Sequence, residues 1–204
     1  VVAIALDTAT GLAAVGVQRD GAWHGRVAQE ALAAQSALAL VDASLAEAGA
    51  VPAQIERIAV GCGPGSFTAL RIGIATARGL AQAVGAELIG VSTLAALREG
   101  AGERGVAVID ARRGEVFAEG PGLAAQAIAP SALAAALPAG ALAVGDGALA
   151  WRDTLEAAGV EVPPVGDPRH APQPAALLAL AERDPAPAVP RYLRAPDAVP
   201  VEAR

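Results

Sequence analysis

The stretch Ile58-Ala59-Val60-Gly61-Cys62-Gly63-Pro64-Gly65-Ser66-Phe67-Thr68-Ala69-Leu70-Arg71-Ile72-Gly73-Ile74-Ala75-Thr76-Ala77-Arg78-Gly79-Leu80 decides the fold. Its first three residues form a short apolar run, the pattern of a buried strand. Gly61, Gly63, Pro64 and Gly65 make a tight turn. Beyond it Leu70, Ile74, Ala77 and Ala81 recur at helical spacing and mark one apolar face. The order is therefore strand, glycine turn, helix. Ser66 stands where an N-cap hydroxyl would accept from the first helical turn. Two readings of the turn stand side by side. Bare amides of Gly63 and Gly65 at a helix start favour an anion; alternatively, the glycines let a helix pack tightly on a sheet. A dinucleotide fingerprint fails, because its third glycine is Ser66 or Thr68 depending on the start. A Walker A loop fails too, since the chain has no lysine.

Working back from this stretch, residues 1–6 read as a buried strand ending at Asp7, and residues 12–17 as a second. Asp20-Gly21 is a hairpin signal, and residues 22–28 form a third strand. A helix is predicted over residues 32–48, stopped by Gly49. Its apolar positions, Leu32, Leu38, Leu40, Val41 and Leu45 among them, surround much of its circumference. Such a helix needs more than one neighbour, either two parts of its own fold or a partner chain. Residues 52–56 read as a helical turn, 87–91 as a strand, and Thr93 opens another helix.

Working forward, the plan repeats. Residues 105–109 form a strand ending at Asp110, Arg113-Gly114 turns, and residues 115–118 return. Residues 141–144, the turn Gly145-Asp146-Gly147 and a helix over 148–157 repeat strand, glycine turn, helix. Two copies of one plan point to an internal duplication. The predicted domains are 1–100 and 101–204, the second smaller. A short helix over 131–137, a loop around Pro163-Pro164, a helix over 174–183 and an extended segment over 185–190 complete the chain. The tail after Tyr192 is expected to be partly disordered.

Composition narrows the function. An apolar content of 54% is ample for a core, and a net charge of −6 excludes charge-driven nucleic-acid binding by the whole surface, though not by a local patch. Cys62 is the single cysteine, expected buried. No run reads as a signal peptide or a membrane span, so the cytoplasm is the expected compartment.

Gly63-Pro64-Gly65-Ser66-Phe67-Thr68-Ala69-Leu70-Arg71-Ile72-Gly73 resembles the GPGSFTGLRIG signature of the TsaB (YeaZ) family. Asp7-Thr8-Ala9-Thr10, Gly90-Val91-Ser92-Thr93-Leu94, the run from Ile109 to Phe117, and Tyr192-Leu193-Arg194-Ala195-Pro196-Asp197-Ala198 agree in order and spacing. The resemblance implies an α/β fold of the actin/Hsp70/sugar-kinase type, with duplicated βββαβα domains and the second reduced. It further implies a non-catalytic subunit that binds and activates the TsaD threonylcarbamoyltransferase, forming N6-threonylcarbamoyladenosine in tRNA. A TsaE-like ATPase joins that assembly, tRNA is met through the complex, and the subunit alone forms a homodimer. The paralogue's His-x-x-x-His-like metal pair falls here on Thr93 and Leu97, so no metal is expected. ATP or ADP is expected only in the assembled complex.

Partner contact is assigned to Leu32, Leu40, Ala69, Leu70, Gly73 and Ala77. A vestigial nucleotide or phosphate site is assigned to Asp7, Thr8, Gly63, Gly65 and Ser66, with an Asx turn as the simpler role of Asp7. No residue is assigned to catalysis. A set of Ser66, His24 and Asp7 is disfavoured because His24 falls in a hairpin. Arg112 and Arg113 suit an acidic partner or phosphates, or a plain hairpin tip. The His-Ser-Glu-like run of many family members is replaced by Gln35-Ser36-Ala37. The alternatives to this reading are a small-molecule kinase or ATPase of the same fold, and a self-associating structural protein.

Overall fold

The computed structural model describes residues 1–28 and 36–194. Leu32 and Gln35 lie outside the described residues, as does the tail from Ala195 on. Strands β1 (Val2–Asp7), β2 (Ala13–Arg19) and β3 (Ala22–Ala28) form an antiparallel meander. Asp20 and Gly21 both take positive φ, 51° and 82°, which matches the twist of a two-residue hairpin. Helix α1 (Ala37–Glu47) leads to a 3-10 turn (Pro52–Gln54) and β4 (Ile55–Gly61), parallel to β1. Then come α2 (Phe67–Val84), β5 (Glu87–Val91) and α3 (Thr93–Ala101). The sheet runs β3-β2-β1-β4-β5.

The second half repeats this order with one strand fewer. Strands β6 (Gly105–Asp110), β7 (Val116–Gly120), β8 (Leu123–Ile128) and β9 (Leu142–Val144) assemble as β8-β7-β6-β9. Helix α4 (Pro130–Ala136) crosses between β8 and β9. The helix predicted over 148–157 is two short ones, α5 (Asp146–Ala150) and α6 (Arg152–Glu156), broken at Trp151. β8 has no counterpart in the sequence reading.

Alternation along the strands distributes the core. Val2, Ile4, Leu6, Ile58 and Val60 face α1 and α2, while Ala3, Ala5 and Ala59 face inward. In the second sheet Val106 and Val108 face α4–α6, and Ala107 and Ile109 face α3. Helix α7 (Pro174–Arg183), from the end of the chain, fills the inner side of the first sheet through Leu177, Leu178 and Ala181. The molecule is thus five layers deep: helices, sheet, the pair α3 and α7, sheet, helices. The division expected at residues 100/101 falls in the last turn of α3, and α7 covers the first sheet although it comes from the second half. No helix of the described residues is long and apolar enough to cross a membrane.

Candidate functional site

The C-terminal ends of β1 and β6 carry Asp7 and Asp110 in matching turns. Asp7 Oδ1 accepts from the Ala9 amide at 2.7 Å, and Asp110 Oδ1 accepts from the Arg112 amide at 2.8 Å. Both are Asx turns, the simpler role expected of Asp7. Asp7 is fully buried. Its Oδ2 accepts from Thr93 Oγ1 at 2.7 Å, and Thr93 Oγ1 in turn accepts from the Gly63 amide at 3.0 Å. Burial pushes the Asp7 carboxyl up to about 6, against the opposing pull of the Ala9 and Thr93 hydrogen bonds.

The glycine turn is packed onto this acid. A Cβ on Gly61 would lie 1.8 Å from Asp7 Oδ2, and one on Gly65 would lie 2.1 Å from the Ala9 carbonyl oxygen. The Ser66 amide donates to that same carbonyl at 2.7 Å. Ser66 does occupy the N-cap position, but its hydroxyl makes no capping bond, contrary to the expectation from sequence. The turn is fixed by backbone pairing to the Asp7 loop instead.

A third acid, Asp146 at the start of α5, joins the two halves. Its Oδ1 accepts from the Asp110 amide at 3.1 Å and its Oδ2 from the Gly11 amide at 3.2 Å. Burial raises its pKa, with the Asp110 carboxylate adding a smaller push. The amide of Gly145 donates to His170 Nδ1 at 3.1 Å, so Nε2 carries the proton that meets the Pro163 carbonyl at 3.0 Å. Asp146, Thr93 and His170 were not singled out as site residues from sequence. Gly145-Asp146-Gly147 signals a turn, but not that its carboxylate reaches a loop 135 positions away.

The small-residue stripe of α2 faces inward. Leu70, Gly73 and Ala77 are buried in the chain's own core, and Ala69 is half-buried. A Cβ on Gly73 would meet Thr8 Oγ1 at 2.1 Å, and that hydroxyl donates to the Ala69 carbonyl at 2.7 Å. The close approach that the spacing announces is therefore made by the Asp7 loop, and Leu70, Gly73 and Ala77 are buried within the chain itself. The residues left outside on this layer include Leu38, 57% exposed, and half-buried Leu40 on α1, with Thr68, Ala75 and Gln82 on α2. His24 sits on β3, paired with Val17 and two strands from β1, so the Ser66, His24, Asp7 set is not assembled. Arg112 is exposed and paired with Asp110 at 3.0 Å. Among the described residues no group of three or more His, Cys, Asp and Glu side chains is placed to hold a metal ion. Cys62 is buried, and burial raises its thiol pKa.

Two sheets of one plan, each ending its first strand in an aspartate turn and meeting at those turns, define an actin-like duplicated α/β protein. The model of the family TsaD, tRNA N6-adenosine threonylcarbamoyltransferase, matches residues 26–127. An uncharacterized protein of Mycobacterium tuberculosis is 37% identical over 97% of this chain and 94% of its own length. The Escherichia coli tRNA threonylcarbamoyladenosine biosynthesis protein TsaB is 39% identical over 56% of this chain and 52% of its own length. Among solved structures, YeaZ from Pseudomonas aeruginosa superposes with a TM-score of 0.72 at 29% identity, covering 94% of this chain and 99% of that one. The chain belongs to the TsaB (YeaZ) family, whose named members act in tRNA threonylcarbamoyladenosine biosynthesis.

Proposed function

We propose that this chain is a non-catalytic subunit that binds and activates a TsaD-type threonylcarbamoyltransferase. One observation carries the non-catalytic part: five amides of the aspartate and glycine turns are already bonded within the chain. Ala9 donates to Asp7, Gly11 and Asp110 to Asp146, Gly63 to Thr93, and Ser66 to Ala9. A phosphate at this turn would have to displace those acceptors, two of which, Asp7 and Asp146, are carboxylates. The vestigial site of Asp7, Thr8, Gly63, Gly65 and Ser66 thus serves as internal structure, and ATP or ADP belongs to the assembled complex.

The partner surface is the outer layer of α1 and α2, on the exposed residues beside the inward stripe. A stable interface takes roughly 800 Å² per partner, and two adjacent helices supply that. A TsaE-like ATPase completes the assembly, tRNA is met there, and the same outer layer supports a homodimer when the chain is alone. The compartment is cytoplasmic, that of tRNA maturation.

The test is a pull-down with a TsaD-type paralogue from the same cell, then modification assays with and without this chain. Modification is expected only with both, and the pure chain is expected neither to transfer threonylcarbamoyl nor to turn over ATP. Hydrogen exchange in the complex should protect α1 and α2. Protection confined to residues after Gly105, or ATP turnover lost in Asp7→Ala, would refute the reading and favour a kinase.

A further inference from the structure

The chain's arginines are not distributed alike. Arg19, Arg57, Arg98, Arg104, Arg112, Arg152, Arg169, Arg183 and Arg194 each lie within ion-pair distance of a carboxylate. Arg71, Arg78 and Arg191 make no ion pair among the described residues; Arg71 and Arg78, seven positions apart, share one flank of α2, and the backbone of Arg191 passes the start of that helix beside Cys62 and Gly63. The segment after α7 builds that flank. Ala186 bridges Gly90 at the edge of β5, the Arg191 amide donates to the Cys62 carbonyl at 2.7 Å, and Arg194 reaches the Ala111 carbonyl and Glu115 in the second half. Neither residues 63–86 nor residues 185–194 contain a carboxylate, so all 21 Asp and Glu lie elsewhere in a chain of net charge −6.

Two aromatic rings stand among these cations. Phe67 and Tyr192 remain 53% and 42% exposed. They stack with centroids 5.7 Å apart at 27°. The Arg71 guanidinium lies 3.7 Å from the Phe67 centroid, and its Nε donates to Tyr192 Oη at 3.0 Å. Arg78, about 10 Å further along the helix, donates to the Ala188 carbonyl at 3.0 Å. An acidic peptide would need only the cations. Exposed, pre-stacked rings beside unpaired cations are the combination that takes a single-stranded nucleic acid, whose phosphates meet the guanidinium groups and whose bases extend the stack.

We infer that the flank formed by Phe67, Arg71, Arg78, Arg191 and Tyr192 is a direct contact surface for single-stranded RNA. The inference deepens the function proposed above by giving this subunit its own RNA contact, beside the α1 and α2 layer. It is read on the full chain alone, by anisotropy of a fluorescein-labelled single-stranded RNA oligonucleotide across a salt series. Failure here leaves the activating role untouched, and failure of that role leaves this binding measurable.

Replacing Arg71, Arg78 and Arg191 together by Gln should weaken binding at least tenfold. Single-strand contacts contribute about 0.7 each to the slope of log affinity against log salt, so the slope should flatten by about 2. Tyr192→Leu should weaken binding about five- to 150-fold, the range of one base–aromatic stack, with the slope unchanged. Arg104→Gln, distant and ion-paired, should bind as wild type. Ultraviolet cross-linking of the unaltered chain provides a check independent of variant folding, with cross-links expected on peptides holding Phe67 or Tyr192. No measurable RNA binding by wild type, a triple variant that binds like wild type, or cross-links confined to other elements would overturn the inference. So would polyglutamate binding as tightly as RNA with Tyr192→Leu without effect, which would make the flank a dock for an acidic protein.

Discussion

Gly61→Ala is expected to lower the melting temperature by about 5–24 °C, at roughly 2–4 °C per kcal/mol for a chain of this size. The added methyl would sit 1.8 Å from Asp7 Oδ2 and 2.2 Å from its Cγ. Asp7 has no room to retreat, because one oxygen is held by the Ala9 amide and the other by Thr93. Overpacking alone costs about 1–3 kcal/mol, and loosening hydrogen bonds to a buried carboxylate adds about 1.5–3 kcal/mol. Truncating the acid should relieve most of the clash, so Gly61→Ala should cost much less in an Asp7→Ala background. A coupling below about 0.5 kcal/mol between these contacting sites, or a melting point within a few degrees of wild type, would show that the two do not compete for one space.

Gly73 is likewise an inward glycine and not an interface residue. Gly73 sits against Thr8 in the chain's own core, so a bulky residue there damages the fold before it can report on any partner. Substitutions at exposed Leu38 or Ala75 test the partner surface without that ambiguity.

Helical spacing announces that α2 lets a backbone approach closely, but spacing carries no information about whose backbone approaches. Thr8 and Ala69 are 61 positions apart, and only the closed sheet brings them together. The duplicated plan was legible because each copy is punctuated alike: an apolar strand, an aspartate, a glycine turn, a helix. β8 was not. Leu123-Ala124-Ala125-Gln126-Ala127-Ile128 has alanine at three of six positions and one β-branched residue, and alanine favours helix. Pairing with β7 makes it a strand, while Pro121-Gly122 was the only local sign that a turn preceded it. Likewise α7 shows an apolar face in sequence, yet nothing local says that this face lies on the first sheet. The Asp146 bridge and the grouping of unpaired arginines are non-local in the same sense, products of topology and not of any motif.

Asp7 itself makes the last expected result. Its carboxyl titrates near 6 in the folded chain against an ordinary value of 3.8. The folded state therefore keeps a proton that the unfolded state has already released between those values. The group's contribution to stability is fully present below about 4 and is lost as pH rises through about 6. A shift of this size corresponds to about 3 kcal/mol at 1.36 kcal/mol per pH unit. Asp7→Asn removes the ionisation while keeping an acceptor for the Ala9 amide. Its amide nitrogen would face Thr93 Oγ1, which already accepts from Gly63; a hydroxyl has a second lone pair for it, though its own proton loses a partner at about 1 kcal/mol. The variant should thus be slightly less stable than wild type at pH 4 and more stable at pH 7. Between pH 4 and pH 7 the difference between the two should swing by about 2.4 kcal/mol, or about 5–10 °C in melting temperature. Other titrating groups, Asp146 included, are common to both proteins and cancel in the difference. Parallel melting curves for the two proteins across pH 4 to 7 would mean that Asp7 pays no desolvation cost for its charge, and that its two hydrogen bonds fully replace water.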